Sequence, residues 1–564
     1  MNNALHSKSL TGREIPAHCT TGFICSRGCC KEVTGLISAA KVSPQWTCAK
    51  TSPSSCNSQT LNLNYSLVVR RETRHVTCVS LTVLKLGSGS SPAMATGATQ
   101  SETSTPFKRH LSTVAPYTTH AKYRVKEVSQ LGKEMLGYIV GPMPVQEFLD
   151  EFFPTADLEE YIAKPFEKGA FKKTVACESE TSAYAPFVSD ITGPLCCSCI
   201  RHAKVECAGS LAPGLEFVNS SSHPDSSRRT DFSFDVKPDI CVYSKGATAI
   251  RSGPTDVSSV EITIEFKWKA GDDPFSSLQT KNRGPQHGMS VRSSKTALDT
   301  LGQITAYVAA QFGSQFRTHC YSVLIVKNIA RIVRWDRSGA IVTAPIAYSK
   351  EGGLEEFLRR FSKASPAMRG ADETVTVPPI KDSAVARECL NLPASVPMFQ
   401  VEVGSHSSSG RFQVIAPAPI APPYSPPGRS TRGLTAYDPV GKRKVFLKDT
   451  WRADAVGMEP EGETYRLLHD NQVRNIPRCI AAGDVSSDLH HATQTQRYTT
   501  KDWAGQLFAG TESARPAAHR HYRLVLDTVG TKLVEFSSTR ELVTAVSDAL
   551  DGESVWRRNY GLPY

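Results

Sequence analysis

Asp239 follows Pro238, Glu265 and Lys267 stand two residues apart, and Gln303 and Tyr307 stand four apart. Two carboxylates beside an ammonium group suit one kind of chemistry. They bind a hard divalent cation such as magnesium through oxygen, and the lysine orients a water or neutralises charge that develops on a phosphate. Asp239 and Glu265 would be the metal ligands and Lys267 the cation that places the water. Glu134 is the further acid expected near them, with Gln303 and Tyr307 bracing the site. A second cluster lies near the C-terminus, where Lys448 ends the apolar run Val445 to Leu447 and Glu461 opens a helical pattern thirteen residues later. An ammonium group held by a helix glutamate can grip phosphate. Glu461 shares a helix face with Tyr465 and Leu468 and is preferred over Glu463 as the partner.

Each cluster needs elements to hold it. Residues 260–269 alternate, with Ile262, Ile264, Phe266 and Trp268 on one face and Glu261, Thr263, Glu265, Lys267 and Lys269 on the other. That pattern predicts a strand over 260–268 with a wet polar face. Further strands are expected at 232–235, 240–243, 320–326, 330–335 and 340–347. Asp336-Arg-Ser-Gly339 makes the turn of a hairpin. Helices are expected at 132–142 (broken by Gly and Pro), 143–153, 295–311 and 354–363. Mixed strands and helices in this order predict an α/β (α+β) domain over 106–365. Proline then recurs from Pro366 to Pro427, which reads as a semi-rigid linker carrying a few strands. A second α/β unit follows from Gly428, and residues 551–564 read as a divergent tail.

Composition narrows the setting. The net charge of +11 is concentrated in the first 125 residues, which hold 14 Lys/Arg against 4 Asp/Glu. Residues 1–105 therefore read as a disordered basic tail, and Met94, after the Gly/Ser stretch 87–91, is an alternative start. No run of about 18 apolar residues is present, and no signal-like segment follows Met1, so the expectation is an intracellular protein of cytoplasm or nucleus with no membrane partner. Of the 16 cysteines, seven lie before residue 94. The cluster Cys196, Cys197, Cys199 and Cys207, with His202, does not have the spacing of a zinc site.

The order Pro-Asp, Glu-x-Lys, Gln-x3-Tyr resembles the PD-(D/E)xK nuclease superfamily. That resemblance implies a nuclease-like fold for 106–365 and nucleic acid as its partner. The later half resembles a protein-kinase N-lobe, with Gly428-Arg-Ser-Thr-Arg-Gly433 where a phosphate-covering hairpin would be and His521 to Val529 as the strand entering the hinge. More specifically, the chain resembles the fungal-type protein kinases. The resemblance is carried by Pro213-Gly-Leu-Glu-Phe-Val218, Asp235-Val-Lys-Pro-Asp-Ile240, Glu265-Phe-Lys267, Arg334-Trp-Asp-Arg-Ser-Gly339, Leu447-Lys-Asp-Thr-Trp-Arg452 and Ala481-Ala-Gly-Asp-Val485.

The resemblance implies ATP and magnesium as cofactors, Ser/Thr phosphorylation as the activity, and Lys448 with Glu461 as the ATP clamp. The sequence departs from the family where the C-lobe would act. It contains neither H-R-D-x4-N nor the D-x-G magnesium motif after the hinge, so kinase activity is not expected of these 564 residues. Three readings follow: a truncated form of a kinase, a kinase-derived interaction protein whose partner the sequence does not name, and a magnesium-dependent nuclease or nucleic-acid binder.

Overall fold

In the computed structural model the described residues are strands 65–68 and 78–81 together with 124–163, 170–193, 210–246, 251–277, 289–292, 294–404, 411–422, 424–486, 489–504, 515–531 and 535–560. The chain divides into two units, 1–102 and 103–564. In the first, the region read as a basic tail, β1 (Tyr65–Val68) pairs antiparallel with β2 (Cys78–Leu81). Cys196, Cys197, Cys199, His202 and Cys207 lie outside the described residues.

The second unit is α+β, as the sequence implied. It opens with α1 (Arg124–Glu134), β3 (Ile139–Met143), α2 (Val145–Phe152), α3 (Lys172–Val175) and α4 (Glu180–Thr192). The strand β3 stands where a broken helix was expected, because Pro142 and Gly137 end the helical pattern early. Three strands then form an antiparallel meander: β4 (Leu215–Asn219), β5 (Ile240–Ser244) and β6 (Ile262–Lys267). A small hairpin, β7 (Phe275–Ser277) with β8 (Met289–Val291), precedes the long helix α5 (Lys295–Ser314). The chain returns as β9 (Cys320–Val326), parallel to β6, and continues through β10 (Ile329–Asp336), β11 (Gly339–Thr343) and α6 (Gly353–Lys363). Among the described residues the sheet order is β3-β11-β10-β9-β6-β5-β4. The expected strand at 232–235 is not formed. Phe232 and Phe234 instead bury in an irregular segment against α5.

Both faces of this sheet are covered. Phe148, Phe153, Phe187, Phe357 and Phe361 pack on Ile264, Phe266, Tyr321 and Val323 from one side. From the other, Leu301, Ile304, Val308 and Phe312 of α5 meet Leu324, Val333 and Trp335. The expected wet face of β6 is therefore a correction. Thr263 and Glu265 are each 1% exposed, because α5 covers the polar set that alternation assigned to solvent. Helix α1 lies against α5 in close backbone contact, and a Cβ on Gly302 would sit 1.8 Å from Val128 O.

The Pro-rich segment is structured. It holds β12 (Val375–Thr376), α7 (Ile380–Leu390), β13 (Met398–Val403) and β14 (Phe412–Pro417). These continue into β15 (Arg432–Asp438), β16 (Arg443–Ala453), α8 (Glu461–Asp470), β17 (Cys479–Asp484) and β18 (His519–Leu526). The second sheet is antiparallel throughout, in the order β12-β13-β14-β15-β16-β18-β17. Helix α9 (Thr539–Tyr560) runs through most of the expected divergent tail and exposes Val543, Val546 and Leu550. No described helix is long and apolar enough to cross a membrane.

Buried charge joins the two sheets. Arg523 of β18 is fully enclosed, donating to Asp449 at 3.2 Å and to Thr374, Glu402 O and Asp372. Arg432 also pairs with Asp449 and donates to Gln315 O at the end of α5. His521 Nε2 lies 2.5 Å from the Asp449 carboxylate, and the Nδ1 atoms of His491 and His521 are 3.1 Å apart. Burial pushes the Asp372 carboxyl up, but Arg523 and the two imidazoles outweigh it and hold it at about 2. A carboxylate held below its unfolded value of about 3.9 stabilises the fold above that pH, and the contribution is lost as pH falls through the folded value. Asp372→Ala is expected to cost roughly 3–5 kcal/mol at pH 7, because it strands a buried arginine. In thermal unfolding the gap to the natural chain should narrow between pH 4 and 2; a gap unchanged at pH 2 contradicts this assignment.

Candidate functional site

Two centres emerge, one on each sheet. At the first, β5 begins just after Asp239, and Asp239 Oδ2 accepts from the backbone N–H of Phe266 in β6 at 2.8 Å. This bond sets Asp239 beside Glu265, one residue back on the same strand. Glu265 accepts from Lys267 and, through Oε2, from the Tyr307 hydroxyl at 3.0 Å. The structure thus brings Asp239, Glu265, Lys267 and Tyr307 together. Gln303, one turn earlier on α5, is buried.

Glu134 does not join them. It is exposed at the end of α1, hydrogen-bonded to Gln130. The acid that does reach the centre is Glu180, in the first turn of α4. Ser179 caps that helix through a capping box with Ser182. Tyr184, one turn on, donates toward Asp239 Oδ1 at 2.9 Å and Glu180 Oε1 at 3.2 Å. The sequence signal for Glu180 is local: a Ser179 cap followed by an acid and, four residues on, a tyrosine.

The electrostatics follow from three carboxylates facing one lysine. Burial, then the Glu265 charge, push the Asp239 carboxyl well up. Burial and Glu265 raise Glu180 as well, although Lys267 opposes them. Burial alone would lower Lys267, but Glu265, Asp239 and Glu180 outweigh it and hold the ammonium firmly charged. The acids of this centre are oxygen donors of the kind a hard divalent cation takes, but among the described residues the acidic and imidazole group whose ligand atoms all lie within 4.8 Å of one another is Asp372, His491 and His521 instead.

The second centre is on β16. Val445 and Leu447 are fully buried in the core of the second sheet, which Phe316 joins from the end of α5, so alternation turns Lys448 to the opposite face, toward α8. Lys448 Nζ lies 2.7 and 2.6 Å from the two carboxylate oxygens of Glu461. The position of Glu461 depends on its neighbour. Gly462 N–H donates to the Tyr522 hydroxyl at 2.8 Å, and a Cβ there would meet Ala482 Cβ at 2.5 Å. Glycine lets the helix start press onto β17 and β18.

The stretch 428–433 does not form a phosphate-covering hairpin. The 418–431 connection is instead held on the first sheet's side of the molecule, with Ala421 paired to Arg229 and Asp231 and Gly428 N–H donating to Arg337 O at 2.8 Å. Its five prolines and the irregular backbone they impose rule out a tight turn. Arg429, from this connection, lies 3.8 Å from Glu461.

The strand order β14-β15-β16-β18-β17, with α8 beside the lysine strand, is that of a protein-kinase N-lobe. Residues 286–557 match the fungal protein kinase family, which covers the second half of the first sheet and all of the second. No curated protein and no solved structure matches the chain.

If Tyr522 and Gly462 hold α8, Tyr522→Phe should lower stability by roughly 1 kcal/mol and Gly462→Ala by more, both read by urea unfolding. Equal stability of the Gly462 variant and the natural chain contradicts the close approach.

Proposed function

We propose that the second half of the protein is a kinase-derived nucleotide-phosphate clamp, in which Lys448 binds phosphate oxygens and Glu461 orients it. The observation that carries this reading is the two-pronged Lys448–Glu461 pair in an N-lobe strand order. Residues 286–557 also match the fungal protein kinase family, and the ATP and magnesium of such kinases are what the clamp would engage. With the nucleotide bound, the triphosphate supplies the transferable phosphoryl group. Lys448 lowers the cost of its charge, and Glu461 keeps the ammonium from folding away. Within the 564 residues no H-R-D-x4-N segment supplies a base and no D-x-G holds magnesium. Phosphoryl transfer by these residues alone is therefore outside the proposal, and the clamp acts as a binding and interaction module. A fluorescent ATP analogue should bind the natural chain, and Lys448→Met should weaken it about tenfold or more. Equal affinity in both proteins would sink the reading.

A second reading is favoured by one observation, the arrival of Glu180 at Asp239, Glu265 and Lys267. The element order around them is a helix, an antiparallel three-strand meander, a helix and a strand parallel to the third, and the chemistry of the reading comes from the resemblance of the Pro-Asp, Glu-x-Lys pattern to the PD-(D/E)xK nucleases. In this reading Asp239, Glu265 and Glu180 hold a divalent cation and Lys267 places the attacking water, with nucleic acid as substrate. It rests on geometry alone. The cation, when bound, polarises the scissile phosphate and acidifies that water. Manganese-dependent nicking of plasmid DNA should disappear in Lys267→Ala and persist in Lys448→Met. Cleavage lost in Lys448→Met but kept in Lys267→Ala would assign it elsewhere.

A further inference from the structure

Lys448 shares Glu461 with a second cation. Arg429 Nη2 lies 3.8 Å from Glu461 Oε2, the oxygen that Lys448 Nζ approaches at 2.6 Å. Among the described residues both cations have Glu461 as their one acid within ion-pair range. The neighbouring arginines are matched elsewhere: Arg452 grips Asp484 at 2.7 and 2.8 Å, and Arg520 grips Asp454 at 3.0 Å. One carboxylate thus faces two positive charges, and the excess attracts an anion. The enclosed Asp372, His491 and His521 group offers less, because Arg523 and Arg432 already balance Asp372 and Asp449, and a divalent ion there would add two uncompensated charges.

The Arg429 side chain is 60% exposed, against 22% for Lys448, and 3.8 Å is too long for a hydrogen bond. Most of its donors are therefore open to a ligand. Its backbone, by contrast, is fixed. Arg429 O accepts from the Trp451 N–H at 2.8 Å and from the Thr450 hydroxyl at 3.1 Å. Thr450 stands two residues along β16 from Lys448, on the same face. Gly428 before Arg429 and Ser430 after it have φ of 106° and 38°. Ser430 is thus in left-handed backbone, which a residue with a Cβ enters at a cost. Bonds on both sides offset it: Gly428 N–H donates to Arg337 O at 2.8 Å, and the hydroxyls of Thr431 and Thr450 are 2.8 Å apart. The chain is bent twice to set one long cationic side chain beside Lys448.

We propose that Arg429 is the second phosphate-binding cation of the clamp, so that the site takes nucleoside di- and triphosphates in preference to monophosphates. The inference rests on the Lys448–Glu461 reading above and names the ligand class of that site. An ammonium attracts a phosphate group as a point charge, whereas a guanidinium presents paired donors to two oxygens of one group. Two cations that share one carboxylate oxygen are near enough for neighbouring groups of a polyphosphate chain to bridge them. A single phosphate satisfies Lys448 and leaves Arg429 on Glu461; the next phosphate reaches Arg429. Arg337, in the β10–β11 hairpin, holds Gly428 through its carbonyl and donates to Pro426 O at 3.1 Å. The first sheet therefore sets where this cation stands.

The test is fluorescence anisotropy of the full chain with base-labelled ATP and AMP analogues, titrated at equal ionic strength. The natural chain is expected to prefer ATP over AMP about tenfold or more, as charge-assisted bonds to a further phosphate would give. Arg429→Gln should cut that preference about tenfold, and Arg429→Lys, which keeps the charge, should retain part of it. Both variants keep the bonds that hold the connection, since those are made by the Arg429 backbone. A preference unchanged in Arg429→Gln, or absent from the natural chain, overturns the inference, while weaker binding of both ligands by Lys448→Met keeps the clamp. If the natural chain binds neither ligand, or Lys448→Met binds both as tightly, the clamp reading falls and this inference with it.

Discussion

Arg523 carries a full charge and has no exposed surface, a position that would be untenable without compensation at short range. Asp449 on the neighbouring strand supplies part of it. Asp372, from the segment that leaves the first sheet, supplies the rest. Thr374 and the Glu402 carbonyl complete the donor's needs. Strand order in the second sheet and its seating on the first are thereby coupled. β18 cannot shift register against β16 without pulling Arg523 from Asp449, and Asp372 is tied in turn to the end of α5 by its N–H, which donates to Phe316 O at 3.2 Å.

Other links reinforce that seating. Asp336, in the β10–β11 hairpin, accepts the backbone N–H groups of Gln494 and Thr495 from the excursion between β17 and β18. From the same excursion Tyr498 donates to Glu151 of α2 at 2.6 Å. The 418–431 connection runs back to Arg229 and Asp231, just upstream of Pro238-Asp239, and Ala421 fills the space left by Gly313 on α5. The segment that would flex over nucleotide phosphates in an isolated N-lobe is thus stitched to the element carrying Tyr307. Phosphate contacts on the Lys448 side must come from side chains more than from a mobile glycine loop.

Much of this is legible in the sequence. The β10–β11 hairpin, the α5 helix and the approach of Glu461 to Lys448 all follow from local pattern, because each depends on residues near in sequence. The errors have a common physical origin in tertiary context. Alternation in β6 identified two faces correctly and assigned one to water, since nothing local says that α5 will cover it. The sequence points to Glu134 and the structure brings Glu180 to the centre instead, because a helix position says nothing about which sheet end the helix reaches. The prolines between 366 and 427 marked irregular backbone. The few strands expected among them take their positions from pairing, β13 with β12 and β14, and β14 with β15.

The central claim is that Lys448, held by Glu461, grips nucleotide phosphate within a fold locked by Arg523. It is tested most directly by a structure of the full chain with magnesium and a non-hydrolysable ATP analogue. The account predicts phosphate oxygens within hydrogen-bond distance of Lys448 Nζ, with the Glu461 carboxylate still on its other side. A nucleotide bound elsewhere, with Lys448 contacting Glu461 alone, would contradict it.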